Sequence, residues 1–129
     1  MALNLALDTN RYTDLCGNDG ETRRIVELAD AVFLPFVVIA ELRAGFALGQ
    51  HGHENEKILQ RFLAKPGVAP LYPGDATTLV YASLYKQLRE QGTPVPTNDL
   101  WIAALAVEHS LTLHSRDRHS AYLPQLSVV

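Results

Sequence analysis

Four carboxylates have a spacing that would let them act together in chemistry: Asp8, Glu41, Asp99 and Asp117. The first directly follows the apolar run Leu3–Leu7, and the last lies a few positions past a second apolar run, Leu111–Leu113. Glu41 and Asp99 instead have apolar or small residues at helical spacing around them, which predicts that both side chains lie on an inward-facing stripe of a helix.

Burying acidic side chains costs free energy unless a partner compensates their charge. An ionised carboxylate away from water needs a partner, and no lysine or histidine is spaced to pair with all four. If they converge, their mutual repulsion raises some of their pKa values, and a hard divalent cation relieves it. Oxygen ligands favour Mg²⁺, with Mn²⁺ as an alternative. Because a bound metal can polarise a phosphoryl oxygen and activate water, the pattern indicates hydrolysis of a phosphate ester.

Each acid also has a purely structural interpretation. Asp8 could cap a helix that begins near Arg11, Asp99 could be a first-turn carboxylate, and Asp117 could make a turn. Glu41 has no capping role in the middle of a helix, so its predicted burial favours function. The functional hypothesis therefore rests on the constellation of acids.

The elements that must position these acids alternate along the chain. Apolar strands are predicted at 3–7, 31–34, 68–71, 111–113 and 126–129, and helices at 21–29, 36–48, 54–64, 75–91 and 99–109. The strand at 68–71 is doubtful because it contains Pro70. Such alternation predicts an α/β fold with a parallel sheet and helices on both faces. Ligands in these folds bind outside the carboxyl ends of the strands, where we expect the acids to meet.

Composition narrows the class of protein. The 129 residues are 47% hydrophobic and 19% charged, which predicts one globular domain over 1–129. The single cysteine, Cys16, excludes an internal disulfide and is predicted to be an inert core residue. No membrane span is expected, and the first residues do not resemble a signal peptide, so a cytoplasmic setting is expected. The net charge of −3 means that any nucleic acid must be held by local arginines.

Several basic and aromatic residues could assist. Four arginines lie close in sequence to the acids and are candidates for contacting phosphates, or else solvated surface charges: Arg11, Arg43, Arg116 and Arg118. One of three scattered histidines could approach the site: His109, His114 or His119. Trp101, Tyr81 and Tyr85 are interpreted as packing residues and not as stacking platforms for bases, although a tyrosine could serve at a protein interface.

Four stretches resemble the PIN domain, and more closely the VapC-type toxins of bacterial toxin–antitoxin pairs: Leu7-Asp8-Thr9-Asn10, the segment Val38 to Gly45, Asn98 to Ala104, and Ser115-Arg116-Asp117-Arg118-His119. They follow the family's order and span essentially the whole chain. The resemblance assigns Asp8, Glu41 and Asp99 to the core acidic positions and Asp117 to the more variable fourth. Ser115 matches a position where the family often has threonine or serine. The chain departs from the family at His119-Ser120, where His-Phe is common.

The resemblance implies a three-layer α/β/α sandwich and an Mg²⁺-dependent endoribonuclease. It also implies a homodimer and an antitoxin protein that blocks the active site, with DNA contacted only through that antitoxin. The implied mechanism has Asp8 and Asp99 holding the metal. Glu41 ligates the metal or a metal-bound water, and Asp117 completes the shell. Arg11, Arg43, Ser115 and Arg116 are the candidate substrate contacts.

Two other classes of protein remain to be weighed. The first is a PIN-fold interaction module that binds an antitoxin and has lost catalysis, which the four intact acids disfavour. The second is a phosphotransfer protein. A haloacid-dehalogenase-like phosphatase would need an aspartate where Asn10 stands, and a receiver domain would need a lysine after a late strand, whereas no lysine follows Lys86. The sequence does not name the RNA target, the antitoxin or the number of metals.

Overall fold

The computed structural model describes residues 2–129. Its strands are β1 (Asn4–Leu7), β2 (Ala31–Pro35), β3 (Val68–Leu71), β4 (Thr112–His114) and β5 (Ser127–Val128). Its helices are α1 (Thr9–Cys16), α2 (Gly20–Leu28), α3 (Phe36–Leu48), α4 (Gly52–Leu63), α5 (Asp75–Gln91) and α6 (Thr97–Glu108), and a 3₁₀ turn covers Arg118–Tyr122.

The five strands form one parallel sheet in the order β3-β2-β1-β4-β5, with the six helices around it. The central strand β1 is covered on both faces, since Leu5, Ala6 and Leu7 are all 0% exposed. This burial explains why the strands are continuous apolar runs without alternation. The fold is the predicted α/β/α architecture.

The order of the strands fixes where a ligand can enter. From β1 the chain goes to β2 and β3 on one side, and the later strands β4 and β5 lie on the other side. The connections after β1 and after β4 therefore diverge and leave a crevice at the carboxyl ends of these two strands. The register pairs Leu7 with His114, so both strands end at the same level.

The strand predicted at 68–71 is confirmed despite its proline. β3 forms and pairs with β2, with Leu34 opposite Pro70. A proline is tolerated there because β3 is an edge strand, and its missing N–H can face solvent. Cys16 was expected in the core, but the thiol is exposed, because α1 ends at this residue and buries only Tyr12.

The aromatic residues divide into packed and exposed ones. The Trp101 ring lies edge-on to Phe36 at 5.8 Å and packs against Tyr81 at 4.4 Å between ring centroids, where α6 contacts α3 and α5. Tyr85, which was also expected to pack, is 51% exposed. Within residues 2–129, no helix is both long and apolar enough to cross a membrane.

Leu34→Ala tests the core. The side chain of Leu34 lies on β2 and is 0% exposed, so its truncation should lower the free energy of unfolding by about 2–5 kcal/mol. Urea denaturation measures this change. The matched control is Leu28→Ala, whose side chain is 69% exposed and should change stability by less than about 0.5 kcal/mol. Equal losses in the two variants would contradict the assigned burial.

Candidate functional site

The pairing of β1 with β4 brings Asp8 and Ser115 together, because they follow the paired residues Leu7 and His114. The Ser115 hydroxyl donates a hydrogen bond of 2.5 Å to Oδ2 of Asp8. The other carboxylate oxygen accepts a 2.8 Å hydrogen bond from the backbone N–H of Arg11, so Asp8 also caps α1. Asp8 is 8% exposed and held from both sides.

Ser115 extends this arrangement to the next acid. Its Oγ accepts a 3.0 Å hydrogen bond from the backbone N–H of Asp117. The Asp117 carboxylate in turn accepts a 3.0 Å hydrogen bond from the backbone N–H of His119 and begins the 3₁₀ turn. The predicted turn role of Asp117 is therefore real, and it places the carboxylate toward the crevice.

Asp99 reaches the same place from the first turn of α6, as its sequence position suggested. Nδ1 of His119 lies 3.1 Å from Oδ2 of Asp99 and 3.1 Å from Oδ1 of Asp117. Ligand atoms of these three side chains all lie within 4.8 Å of one another. Of the three scattered histidines, His119 is the one at the acids, and nothing in its spacing singled it out.

One cleft collects these groups. Asp8, Asp99, Ser115, Asp117 and His119 all line it, and the rest of its wall is largely apolar, including Ile102, Leu113 and Leu123. Three of the four acids singled out in the sequence thus share one cavity. We call this cavity the acid cleft.

Glu41 does not lie in the acid cleft, and its predicted burial is wrong. Its side chain is exposed and accepts a 2.8 Å hydrogen bond from the hydroxyl of Thr9, the residue after Asp8. The apolar neighbours that predicted burial extend toward the end of α3, where Ala44 and Leu48 are themselves exposed, Leu48 by 91%. The apolar residues around Glu41 do lie on one face of α3. In the described chain this face is buried at Val37 and Val38 but exposed at Ala44 and Leu48.

The two clustered acids have opposite pKa shifts. Burial raises the pKa of Asp99, and the negative charge of Asp117 raises it further. The backbone N–H of His119 lowers the pKa of Asp117, and the nearby His119 side chain also contributes. Asp99 therefore holds a proton more readily than an aspartate in water does, because burial and the neighbouring negative charge both disfavour its ionised form.

The donor set fits a divalent cation. Two carboxylates and an imidazole nitrogen are close enough to share one ion, and the Asp8 carboxylate lines the same cleft. A cation would also relieve the repulsion that raises the pKa of Asp99. Carboxylate oxygens suit Mg²⁺ and Mn²⁺, and an imidazole is a ligand that Mn²⁺ accepts more readily than Mg²⁺.

His114, one of the three histidines considered for the site, is instead a buried residue at the end of β4 and does not line the acid cleft. It is 0% exposed, with Nδ1 2.7 Å from the carbonyl oxygen of Val129 and Nε2 3.2 Å from the hydroxyl of Thr22. These contacts tie the end of β4 to the region beside β5 and to α2. Ser115 follows His114 directly, so the contacts stabilise the strand end that presents the acid cleft.

Three of the four candidate arginines are paired with acids outside the acid cleft, whereas Arg118 is exposed and forms no ion pair with another described residue. Arg43 makes a two-pronged contact with Glu56, at 2.9 and 3.0 Å. Arg11 and Arg116 share Asp14, at 3.4 and 3.2 Å. Arg116 keeps 56% of its side chain exposed and remains accessible to a ligand, whereas Arg11 keeps only 13%.

Asp117→Asn tests the electrostatics of the acid cleft. Removing the Asp117 charge should move the pKa of Asp99 down toward its ordinary value, while burial keeps part of the increase. Side-chain carboxyl ¹³C NMR titration of the metal-free protein measures this. Asp14→Asn, which removes an acid outside the cleft, should leave Asp99 unchanged. An unaltered Asp99 pKa in Asp117→Asn would show that burial acts alone.

Comparisons with known proteins agree with this architecture. The chain matches the PIN domain over residues 5–124. It is 28% identical to Toxin FitB of Neisseria gonorrhoeae, over 96% of this chain and 95% of that protein. It is 34% identical to Ribonuclease VapC1 of Haemophilus influenzae, over 84% of this chain and 80% of that protein. Among solved structures, VapBC2 from Rickettsia felis bound to a DNA fragment from its promoter has a TM-score of 0.87 at 22% identity, covering 98% of both chains. With the match spanning nearly every element, the chain belongs to the PIN domain family.

Proposed function

We propose that this protein is a metal-dependent endoribonuclease and the toxin of a toxin–antitoxin pair. The observation that carries the proposal is the meeting of Asp8, Asp99 and Asp117 in one cleft at the carboxyl edge of the sheet. Relatives named as a ribonuclease and a toxin support it. Mg²⁺ is the proposed cofactor, with Mn²⁺ as the alternative.

In this proposal Asp8 and Asp99 hold the metal, and Asp117 and His119 complete or orient its surroundings. When bound, a divalent cation supplies a Lewis acid for the phosphoryl group and an activated water for hydrolysis. Glu41 lies outside the acid cleft, so its part is confined to the exposed approach, where it holds Thr9 beside Asp8.

The remaining residues prepare the site. The Ser115 hydroxyl occupies one oxygen of Asp8 and the backbone N–H of Arg11 the other, so that carboxylate is fixed in orientation before any ligand binds. The apolar wall of the acid cleft lowers the local polarity, which strengthens the interaction of the acids with a cation. Among Arg11, Arg43 and Arg116, Arg116 has the most exposed side chain and is the one proposed to contact an RNA phosphate.

The proposed partners follow from the same relatives. One similar structure is of a member of the VapBC family of toxin–antitoxin systems from Mycobacterium tuberculosis, and another, VapBC2 from Rickettsia felis, is bound to a DNA fragment from its promoter. We propose an antitoxin that covers the acid cleft, contact with DNA only through that antitoxin, and a homodimer.

Asp8→Asn and Asp99→Asn should each abolish metal-dependent RNA cleavage and leave the fold intact. Either change removes a negative oxygen donor but keeps the volume of the side chain. Cleavage of labelled RNA with Mg²⁺ or Mn²⁺, and its loss with EDTA, measures the activity.

The matched control is Asp75→Asn, an exposed acid at the start of α5 and outside the acid cleft, which should cleave normally. Circular dichroism checks the fold of each variant. Full cleavage by Asp99→Asn would contradict the assigned role. Metal binding without cleavage of any RNA by the unaltered chain would instead favour the rival, a PIN-fold interaction module that binds an antitoxin.

Co-expression with the neighbouring gene of its operon tests the toxin assignment. The small partner should co-purify with this chain and suppress RNA cleavage, with an arginine that reaches the acid cleft. Replacing that arginine by alanine should restore cleavage, because the acids are again free to hold the metal. A partner that binds without affecting cleavage would contradict the proposed mode of inhibition.

A further inference from the structure

A second pocket lies beside the acid cleft, between α5 and α6. Its lining consists of Tyr85, Leu88, Arg89, Pro94, Val95 and Leu100, and it encloses about 260 Å³. We call it the Tyr85 pocket. This is below the ~300–1,000 Å³ typical of pockets that hold drug-sized ligands, so it suits a single small group.

The two cavities share a wall. Val95 lines both the Tyr85 pocket and the acid cleft. Asp99 lines the acid cleft, and the next residue, Leu100, lines the Tyr85 pocket. The two cavities are therefore adjacent, with Val95 as the residue common to both.

The connection between the two helices is built to hold this wall in place. Helix α5 ends at Gly92, whose φ of 72° is in the left-handed region that favours glycine. The chain then runs through Pro94, Val95 and Pro96 into α6. The prolines fix the backbone φ angles on either side of Val95.

The chemistry of the Tyr85 pocket is that of a stacking site. Leu88 and Leu100 form a buried apolar floor, at 2% and 3% exposure. Tyr81, one turn before Tyr85, is engaged with Trp101 at 4.4 Å between ring centroids. Tyr85 makes no ring contact with another aromatic residue in the described part of the chain, and its side chain is half exposed at the rim.

The charge at the rim points to an anionic occupant. Arg89 is exposed and forms no ion pair with any acid in residues 2–129, unlike Arg11, Arg43 and Arg116. Lys86 and Glu90 lie near Arg89 on the same helix, but they pair with each other, and neither lines the Tyr85 pocket. The rim thus combines an aromatic face with a positive charge that no described acid pairs with, and such a combination is how proteins hold single-stranded nucleic acids.

From this arrangement we infer that the Tyr85 pocket binds the unpaired nucleobase next to the scissile phosphate of a single-stranded RNA, with its base on Tyr85 and its phosphate toward Arg89. The inference rests on the proposed nuclease function. It adds a determinant of substrate binding that lies outside the acids, and it makes Tyr85 and Arg89 substrate-positioning residues.

Tyr85→Ala should raise the KM for a labelled single-stranded RNA about 5- to 150-fold, from the strength of base–aromatic stacking, with little change in kcat. Tyr85→Phe keeps the ring and should stay within about twofold of the unaltered chain. Arg89→Gln should raise KM and reduce its salt dependence, because one phosphate contact is lost. The matched control is Tyr72→Ala, which removes a tyrosine that is 62% exposed and outside the pocket and should leave KM unchanged.

Once the cleavage site is mapped with the unaltered chain, an RNA with an abasic nucleotide beside the scissile bond gives a second measurement. It should bind the unaltered chain less tightly than intact RNA does, and Tyr85→Ala should bind both RNAs equally. An unchanged KM in Tyr85→Ala, or an equal rise of KM in Tyr72→Ala, overturns the inference and leaves the nuclease function standing.

Two further outcomes are decisive. If Tyr85→Ala converts a dimer to a monomer in light scattering, the Tyr85 pocket is an interface between copies of this chain, and the inference is wrong. If the unaltered chain cleaves no RNA with either metal, the proposed function fails, and the base-binding pocket fails with it.

Discussion

The pairing of Leu7 with His114 across β1 and β4 is the constraint on which the acid cleft depends. Parallel strands in this register end at one level, so the residues after them meet without any long loop. Asp8 and Ser115 are joined by their hydrogen bond, and Ser115 in turn holds Asp117. Asp99 joins these residues from the first turn of α6. A shift of one residue in this pairing would point every side chain on one strand to the opposite face of the sheet. Asp8 and Ser115 would then no longer meet.

Bringing these carboxylates together produces electrostatic repulsion, and the described part of the chain does not offset it with a lysine or arginine. Among the described residues, no lysine or arginine pairs with Asp8, Asp99 or Asp117, although Arg11 and Arg116 lie nearby in sequence and bind Asp14 instead. The imidazole of His119 is the group that stands between two of the acids. A permanently charged guanidinium there would compete with any bound cation. Pairing the arginines elsewhere leaves the negative charge available, and burial together with the charge of Asp117 raises the pKa of Asp99.

Sequence periodicity located most elements, because helices such as α3 and α5 and strands such as β2 carry patterns that depend only on local burial. Periodicity did not predict burial correctly where burial depends on which other element packs against a helix face. The apolar neighbours of Glu41 are real, yet the end of α3 is uncovered, so the acid is exposed. Helix α1 was not among the predicted helices and entered only as the helix that Asp8 could cap, because eight residues with one buried side chain give almost no periodic signal. His119 could not be found from spacing, since its position is set by the 3₁₀ turn that Asp117 caps.

The same distribution of charge bears on how such a nuclease would hold its substrate. The chain has a net charge of −3 and an acidic centre, and Arg43, Arg11 and Arg116 are tied to acids. Affinity for RNA that came from many phosphate contacts would need free cations in number, since each contact releases a counterion and the effects accumulate. Few such cations border the acid cleft. Much of the binding energy for the proposed reaction must therefore come from the metal and from contacts to bases, in addition to the few phosphate contacts proposed for Arg116 and Arg89. An exposed aromatic ring on an apolar floor beside the acids is the kind of group that can supply it.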